Sequence, residues 1–343
     1  MERLTLTRPD DWHLHVRDGQ GLADVIGHTA SVFGRAILMP NLKPPVTTVE
    51  QAGAYRDRVL AALPKGLTFA PLMTLYLTDL TRPDEMRRAR DSSFVHGVKL
   101  YPAGATTNSA AGVTALDALD PVLDAMADVG LPLLVHGEVT GADVDVFDRE
   151  AAFLETVLDP LLARHPALRC VVEHATTAEA VAFVRRFDGR VGCTITPQHL
   201  LMNRSAIFEG GLRPHRYCLP ILKREQHRIA LVEAATSGDP RFFLGTDSAP
   251  HTQPTKETAC GCAGCFTAPH AMPLYATVFE RAGALEQLEG FASHHGPDWY
   301  GLPRNSDTIT LVRDPTEVPG SWPFAGDEVV PLLAGETIPW RVA

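Results

Sequence analysis

The sequence predicts a (β/α)₈ barrel. Three observations carry that reading: eight short apolar runs that each end in polar residues, stretches of helical period between them, and no glycine-rich phosphate loop after the first run. Alternating strand and helix patterns imply parallel strands joined by crossover helices. An open doubly wound sheet would usually place a G-x-G-x-x-G turn after its first strand. Eight units without that turn favour closure into a barrel.

The candidate strands are 12–15 (WHLH), 35–41 (RAILMPN), 69–77 (FAPLMTLYL) and 96–102 (HGVKLYP), then 131–139 (LPLLVHGEV), 168–176 (LRCVVEHAT), 190–199 (RVGCTITPQH) and 241–251 (RFFLGTDSAPH). Several are apolar on both faces, as strands between a barrel interior and outer helices should be. Among the helical stretches, 113–129 places Leu116, Leu119, Leu123 and Met126 on one face, with Gly130 where a C-terminal cap belongs. Residues 48–62 and 150–163 read similarly. From about 303 the chain carries short strand-like pieces, TITLV and VVPLL, a small extension on the barrel. No linker, repeat or low-complexity tract divides the chain, so 1–343 reads as one domain.

Hydrophobic residues make up 45% and charged residues 21%, a balance that supports a large core. A net charge of −10 argues against a nucleic-acid partner, which requires a concentrated basic surface. It leaves room for a small anionic substrate, because one or two pocket arginines can hold a carboxylate. The opening MERLTLTRPDDWHLH has no apolar signal region, and no apolar run approaches the roughly 20 residues of a membrane span. Six cysteines are too few for a disulfide scaffold of this length. The expectation is a soluble, cytoplasmic protein.

His13, His15, Lys99, His136, His174 and Asp247 all fall at or near the C-terminal ends of candidate strands. In a barrel those ends converge on the face where active sites form. Imidazoles and a carboxylate gathered there have the composition of a transition-metal site. His13 and His15 are two apart, which puts both side chains on one side of a strand. The bland alternative is a polar pair on an edge. A lone histidine after an aliphatic run, as at His136 or His174, is more often a hydrogen-bonded core residue. Two at equivalent strand ends, beside an H-x-H pair, reverse that preference. Asp247 could cap the following helix, or could ligate a metal and carry the proton of an attacking water.

Lys99 is one of only five lysines among 31 basic residues. A free ammonium cannot bind a cation and is costly to desolvate unpaired. Carboxylated by CO₂, the same side chain could bridge two divalent ions; alternatively, it pairs with a nearby acid. The cluster Cys260, Cys262, Cys265 looks like half a zinc knuckle, but no matching half exists elsewhere, and a tight glycine-rich loop is the simpler reading. Glu138 and Glu173, beside two of the histidines, could equally support ligands or pack.

At these residues the chain resembles the dihydroorotase family of single-function bacterial type, within the metal-dependent amidohydrolases of TIM-barrel fold. The matching stretches are RPDDWHLHVRDG, MPNLKPPVTT, VKLYPAGATTNS, LPLLVHGEVT, FDREAAF, CTITPQHL, RPHRYCLPILKR, FLGTDSAPH and CGCAGCF, spread along nearly the whole length. The resemblance implies two zinc ions per subunit, one held by His13, His15 and Asp247, the other by His136 and His174, bridged by N6-carboxylated Lys99 and a hydroxide. It implies that Arg17, Asn41 and His251 hold a substrate carboxylate, that the Leu219 backbone and Ala263 seat a ring, and that His15 and His136 also reach the substrate. Thr106 and Thr107, in the stretch 105–109, would belong to a mobile loop. The reaction implied is the reversible, zinc-dependent cyclisation of N-carbamoyl-L-aspartate to (S)-dihydroorotate, the third step of de novo pyrimidine synthesis, by a homodimer with Asp247 as the proton carrier. The competing readings are another cyclic amidase, hydantoinase- or allantoinase-like, or an inactive scaffold on the same barrel.

Overall fold

The structure, a computed structural model, describes residues 2–343. After a short strand β1 (Arg3–Thr7), eight parallel strands follow in chain order: β2 (Asp10–Leu14), β3 (Arg35–Leu38), β4 (Ala70–Tyr76), β5 (Val95–Leu100), β6 (Leu133–Val135), β7 (Cys170–Val172), β8 (Val191–Ile195) and β9 (Phe242–Leu244). Each pairs with its sequence neighbour, giving the order β2 through β9 without a crossover. This is the expected (β/α)₈ barrel, with all eight strands where the apolar runs place them.

Most strands stop sooner than the apolar pattern suggests, β9 at Leu244 rather than near 251. The reason is local. His174 and Asp247 adopt φ of 43° and 44°, the left-handed region that no ladder can continue, so the polar ends peel away as site-bearing loops.

Period-two alternation decides which side chains enter the barrel. On β6, Leu133 and Val135 pack outward against the helices, while Leu134 joins Trp12, Ile37, Leu72, Val171 and Phe243 in a separate interior cluster. Lys99 is paired with Leu134, between outward-packing Val98 and Leu100, and therefore points inward. Trp299 closes the floor of this interior cluster, and Trp12 stacks on Tyr300 with ring centroids 4.4 Å apart. That approach needs Gly296: a Cβ there would sit 1.9 Å from the Trp12 ring nitrogen.

The seam between β9 and β2 is closed by other means. Asp247 N–H donates to His13 O at 2.9 Å and His15 N–H to Ser248 O at 3.1 Å. The buried Asp11 carboxylate accepts from His13 N–H (3.1 Å), Thr246 N–H (2.9 Å) and the Thr246 hydroxyl (2.6 Å).

The helices largely follow the sequence. Val49–Ala61 opens on a capping box from Thr48 and Gln51. The 113–129 stretch splits into a 3₁₀ turn, Leu116–Leu119, and a helix, Asp120–Val129, because Pro121 suits a first turn rather than a helix interior. Gly130 caps it at φ 69° as expected. Residues 150–163 form Arg149–Phe153 and Asp159–Arg164 around a π turn, Leu154–Leu158. The tail forms β10 (Thr308–Glu317), the hairpin β11 (Trp322–Phe324) and β12 (Asp327–Val329), and β13 (Thr337–Val342). β10 lies between β1 and β13 in an antiparallel sheet. β1 is invisible to local pattern because its partner comes from the other end of the chain.

Candidate metal centre and active site

His13 enters the site from β2, whose ladder to β3 shifts register between Asp11 and Leu14 and so breaks the alternation there, and His15 follows just beyond the strand's end. Their Nε2 atoms are 3.3 Å apart, and Asp247 Oδ1 lies 3.4 Å from one and 3.1 Å from the other. The three donor atoms fall within 4.8 Å of one another, all buried. Two imidazole nitrogens and a carboxylate oxygen facing one point, with little water to screen them, suit a divalent cation at that point.

The second group lies on the other side of His13. His174 stands between His13 and His136, with ring centroids 4.9 and 4.8 Å away. Its Nδ1 is buried without a hydrogen-bond partner. His136 directs Nε2 to Glu138 at 2.8 Å, leaving Nδ1 as its available lone pair. Lys99, fully buried, donates to Glu173, whose other oxygen lies 3.1 Å from His13 Nδ1. His13, Glu173 and His174 form the second cluster of donor atoms. Glu173 thus takes a central place that its sequence position left open.

The protonation pattern favours cations. Burial pushes His174 well below its ordinary value, assisted by Lys99, His136 and His13, and lowers His15 to about 4, so both offer neutral lone pairs. Burial also disfavours charge on His13, yet Glu173 and Asp247 together raise it to about 9. Burial works against the Asp247 carboxylate, but His13 and His15 hold it ionised, well below the usual range. Dry carboxylates and imidazoles drawing protons into one centre would accept metal ions in their place.

Above this centre, a free volume of about 20 Å³ is lined by His15, Arg17, Asn41, Thr106, Thr107, Leu219, Ala263 and Gly264 among others. Arg17, at φ 60°, donates from Nε to Pro250 O at 3.0 Å and from Nη2 to His251 Nε2 at 2.8 Å. A guanidinium only donates, so His251 must accept and stay neutral. Burial, Arg17 and Lys256 push His251 down to about 2. Thr107 crosses the opening: its hydroxyl donates to Ala263 O at 3.4 Å and its carbonyl accepts from Asn41 Nδ2 at 3.3 Å. The remaining space holds about one water, so this loop position is a closed one. A larger open groove of about 850 Å³ lies by β13 and the helix Ala271–Arg281, and none of the site residues named from sequence line it.

The amidohydrolase family model matches residues 10–311, nearly all of the chain. The chain is 65% identical to the dihydroorotase of Ralstonia nicotianae over 341 residues, 99% of both proteins, and 65% identical to that of Alkalilimnicola ehrlichii over the full length of both. The chain belongs to the dihydroorotase family of amidohydrolases. Its fold superposes on the crystal structure of Saccharomyces cerevisiae dihydroorotase in complex with 5-fluoroorotic acid with a TM-score of 0.92, at 33% identity, covering 100% and 99% of the two chains.

Within this dihydroorotase-family barrel, all thirteen candidate site residues lie at or around one mouth, and three contributors besides Glu173 escape the sequence reading. Asp11 ties β2 to the Thr246 turn, fixing the backbone at His13 and next to Asp247. A second acid in DDWHLH was its only signal. Glu150 receives both hydroxyls and the backbone N–H of the Thr176–Thr177 pair, fastening the turn after His174. Lys256 is buried beneath the Ala263 loop. The cysteines of that loop differ in exposure, and no metal-type cluster among the described residues includes one.

Proposed function

We infer that this chain is a dihydroorotase, a hydrolase of cyclic amides that interconverts (S)-dihydroorotate and N-carbamoyl-L-aspartate. The observation that carries this reading is one closed pocket where a histidine–carboxylate centre meets an arginine–histidine pair able to hold a carboxylate. Identity over the whole length supports the same substrate. The neutral rings of a hydantoinase or allantoinase bring no carboxylate to a buried Arg17 that forms no ion pair among the described residues.

Two zinc ions would occupy the centre, one held by His13, His15 and Asp247, the other by His136 and His174, with carboxylated Lys99 between them. When bound, they supply polarisation of the ring amide carbonyl and a water acidic enough to attack near neutral pH. The His13–His15–Asp247 donor cluster supports the first set, and the unpartnered His174 Nδ1, with the His136 ring beside it, supports the second. Carboxylation removes the Lys99 charge at its nitrogen while leaving one N–H, which can still donate to Glu173.

The residues divide the remaining work. Arg17 and Asn41 hold the substrate carboxylate with two parallel donors and one amide, and His251 keeps Arg17 aimed. Ala263 and the Leu219 backbone seat the ring, while Thr106 and Thr107 close over it and exclude water. In hydrolysis, Asp247 takes the proton of the attacking water and delivers it to the ring nitrogen as the C–N bond breaks. In cyclisation, Asp247 begins protonated and the steps reverse. The whole chain acts as one amidohydrolase domain, and a homodimer in the cytoplasm is the expected assembly.

The test is substrate preference of the purified, zinc-loaded protein among dihydroorotate, hydantoin and allantoin. Turnover of dihydroorotate at least 100-fold above the others is expected. Preference for a neutral ring, or no turnover of any, would overturn the assignment.

A further inference from the structure

Lys256 ends a short helix, Gln253–Lys256, and is 5% exposed. Its Nζ donates to three backbone carbonyls: Tyr217 at 3.0 Å, Cys262 at 3.0 Å and Gly264 at 2.5 Å. An ammonium has three N–H donors and a neutral amine only two, so three acceptors select the charged form. No carboxylate forms an ion pair with it among the described residues. Burial lowers its proton affinity, and the acidic groups acting on it are the Cys265, Cys218 and Cys262 thiols. Cys218 and Cys265 contact the carbonyls of Pro220 and His215, and Cys265 is drawn below the ordinary thiol range by a hydrogen bond from Cys218 and by Lys256 itself. Among the described residues Lys256 is therefore a buried cation with thiols, and no carboxylate, to balance it.

Its location gives the deficit a meaning. The three carbonyls flank Leu219 and Ala263, both lining the closed pocket. Lys256 and Arg17 both act on His251, and Arg17 forms no ion pair among the described residues, the Asp247 carboxylate acting on it only from elsewhere in the pocket lining. Two cations beside one pocket without a directly paired carboxylate gain from an anion that enters it.

We propose that Lys256 is a specificity-determining residue whose missing counter-ion is the substrate's carboxylate, supplied through space while its hydrogen bonds hold the two loops that shape the pocket. The inference rests on the dihydroorotase reading above, and deepens it. It assigns Lys256 no bond to the substrate: Arg17 makes the directional contact, and Lys256 supplies part of the field.

The test compares dihydroorotate with its uncharged methyl ester, and orotate with orotate methyl ester as binding probes measured by calorimetry. Zinc-loaded wild type, Lys256→Met, Lys256→Gln and Lys256→Arg are used. Wild-type turnover of dihydroorotate tests the functional reading separately, before any variant is made. In Lys256→Gln and Lys256→Met, the acid-to-ester ratio of kcat/KM and the corresponding ratio of binding constants should each fall at least 10-fold, mainly through KM, with zinc content unchanged. Lys256→Arg, which keeps the charge, should restore at least a third of the wild-type ratio. Loop collapse alone would weaken acid and ester alike and leave the ratios in place, which would overturn the proposal. So would a Cys265 thiolate absorbance in the native wild type at neutral pH that disappears in Cys265→Ser, because Lys256 would then have its counter-ion. If Lys256→Met does not fold, Lys256→Gln, which still offers two donors to the carbonyls, decides; should both neutral variants fail to fold while Lys256→Arg folds with an acid-to-ester ratio below a third of wild type, the proposal fails.

Discussion

Replacing Asp11 with alanine separates what this carboxylate does for the fold from what it does for the metal centre. Asp11 accepts three hydrogen bonds across the β9–β2 seam. Removing it strands two buried backbone N–H groups, at about 1–3 kcal/mol each, or about 2–6 kcal/mol together. The Thr246 hydroxyl can turn instead to His13 O, already 3.3 Å away. Against that loss stands a gain. Burial raises the Asp11 carboxyl from 3.8 to about 6, so keeping it ionised at pH 7 costs the native state about 3 kcal/mol, which alanine relieves. The sign follows: the folded state binds this proton more tightly than the unfolded chain, so wild-type stability declines as pH rises from about 4 through 6, and the variant loses that decline. The net change at pH 7 is therefore small, about −1 to 3 kcal/mol. The site should respond more strongly. His13 and Asp247 lose the clamp that sets their separation, and loss of such supporting partners typically lowers metal affinity 10–100-fold. Urea unfolding of the metal-free protein at pH 7 and at pH 5 measures the first effect, and zinc competition with a chromophoric chelator the second. Zinc affinity within threefold of wild type would refute the clamp, whatever the stability.

Further outcomes follow from the same structure. Lys99→Ala should abolish turnover and lower bound zinc from two toward one or none per chain by elemental analysis; full activity with undiminished zinc would sink the two-metal reading. His199 is held neutral by burial, at about 4, with Nδ1 facing the Thr196 hydroxyl and Nε2 facing Pro220 O. Its folded value is depressed, so it contributes stability above pH 6.5 that is lost on acidification. Its share of the change between pH 7 and 5 is about 2 kcal/mol, so in urea titrations His199→Gln should lose about 2 kcal/mol less than wild type over that range; parallel slopes would contradict this. Thr107→Val removes the loop's hydroxyl link to Ala263 and should lower kcat/KM about 10-fold while leaving zinc content intact, as steady-state kinetics can check. An unchanged kcat/KM would remove that link from the closing step.

What was legible in the sequence was periodic or chemically concentrated. Eight apolar runs locate eight strands because most interior and helix-facing residues, such as Leu134 beside Leu133 and Val135, are apolar. The four candidate histidines stand out because two recur at equivalent strand ends beside an H-x-H pair, not because a single imidazole there is unusual. What stayed hidden depended on distance along the chain. Asp11 reads as one more acid until β9 arrives beside it, and β1 has no partner until β10 exists. Glu173 and Lys99 meet only because β5 and β7 flank β6. Lys256 is another of the five lysines, and only the folded loop reveals that three carbonyls surround it. Strand ends are overextended in the sequence reading because the polar residues that close each run, His174 and Asp247 among them, lie beyond the ladder, where the backbone turns left-handed.

The most direct test is a crystal structure of the zinc-loaded, catalytically active protein, with anomalous data at the zinc edge. Extra density on Lys99 Nζ should form a carboxylate between two metal peaks about 3.5–4 Å apart, one touching His13, His15 and Asp247, the other His136 and His174. A bare Lys99 ammonium still paired with Glu173, in protein that turns over dihydroorotate with a single metal or none, would contradict the two-metal centre.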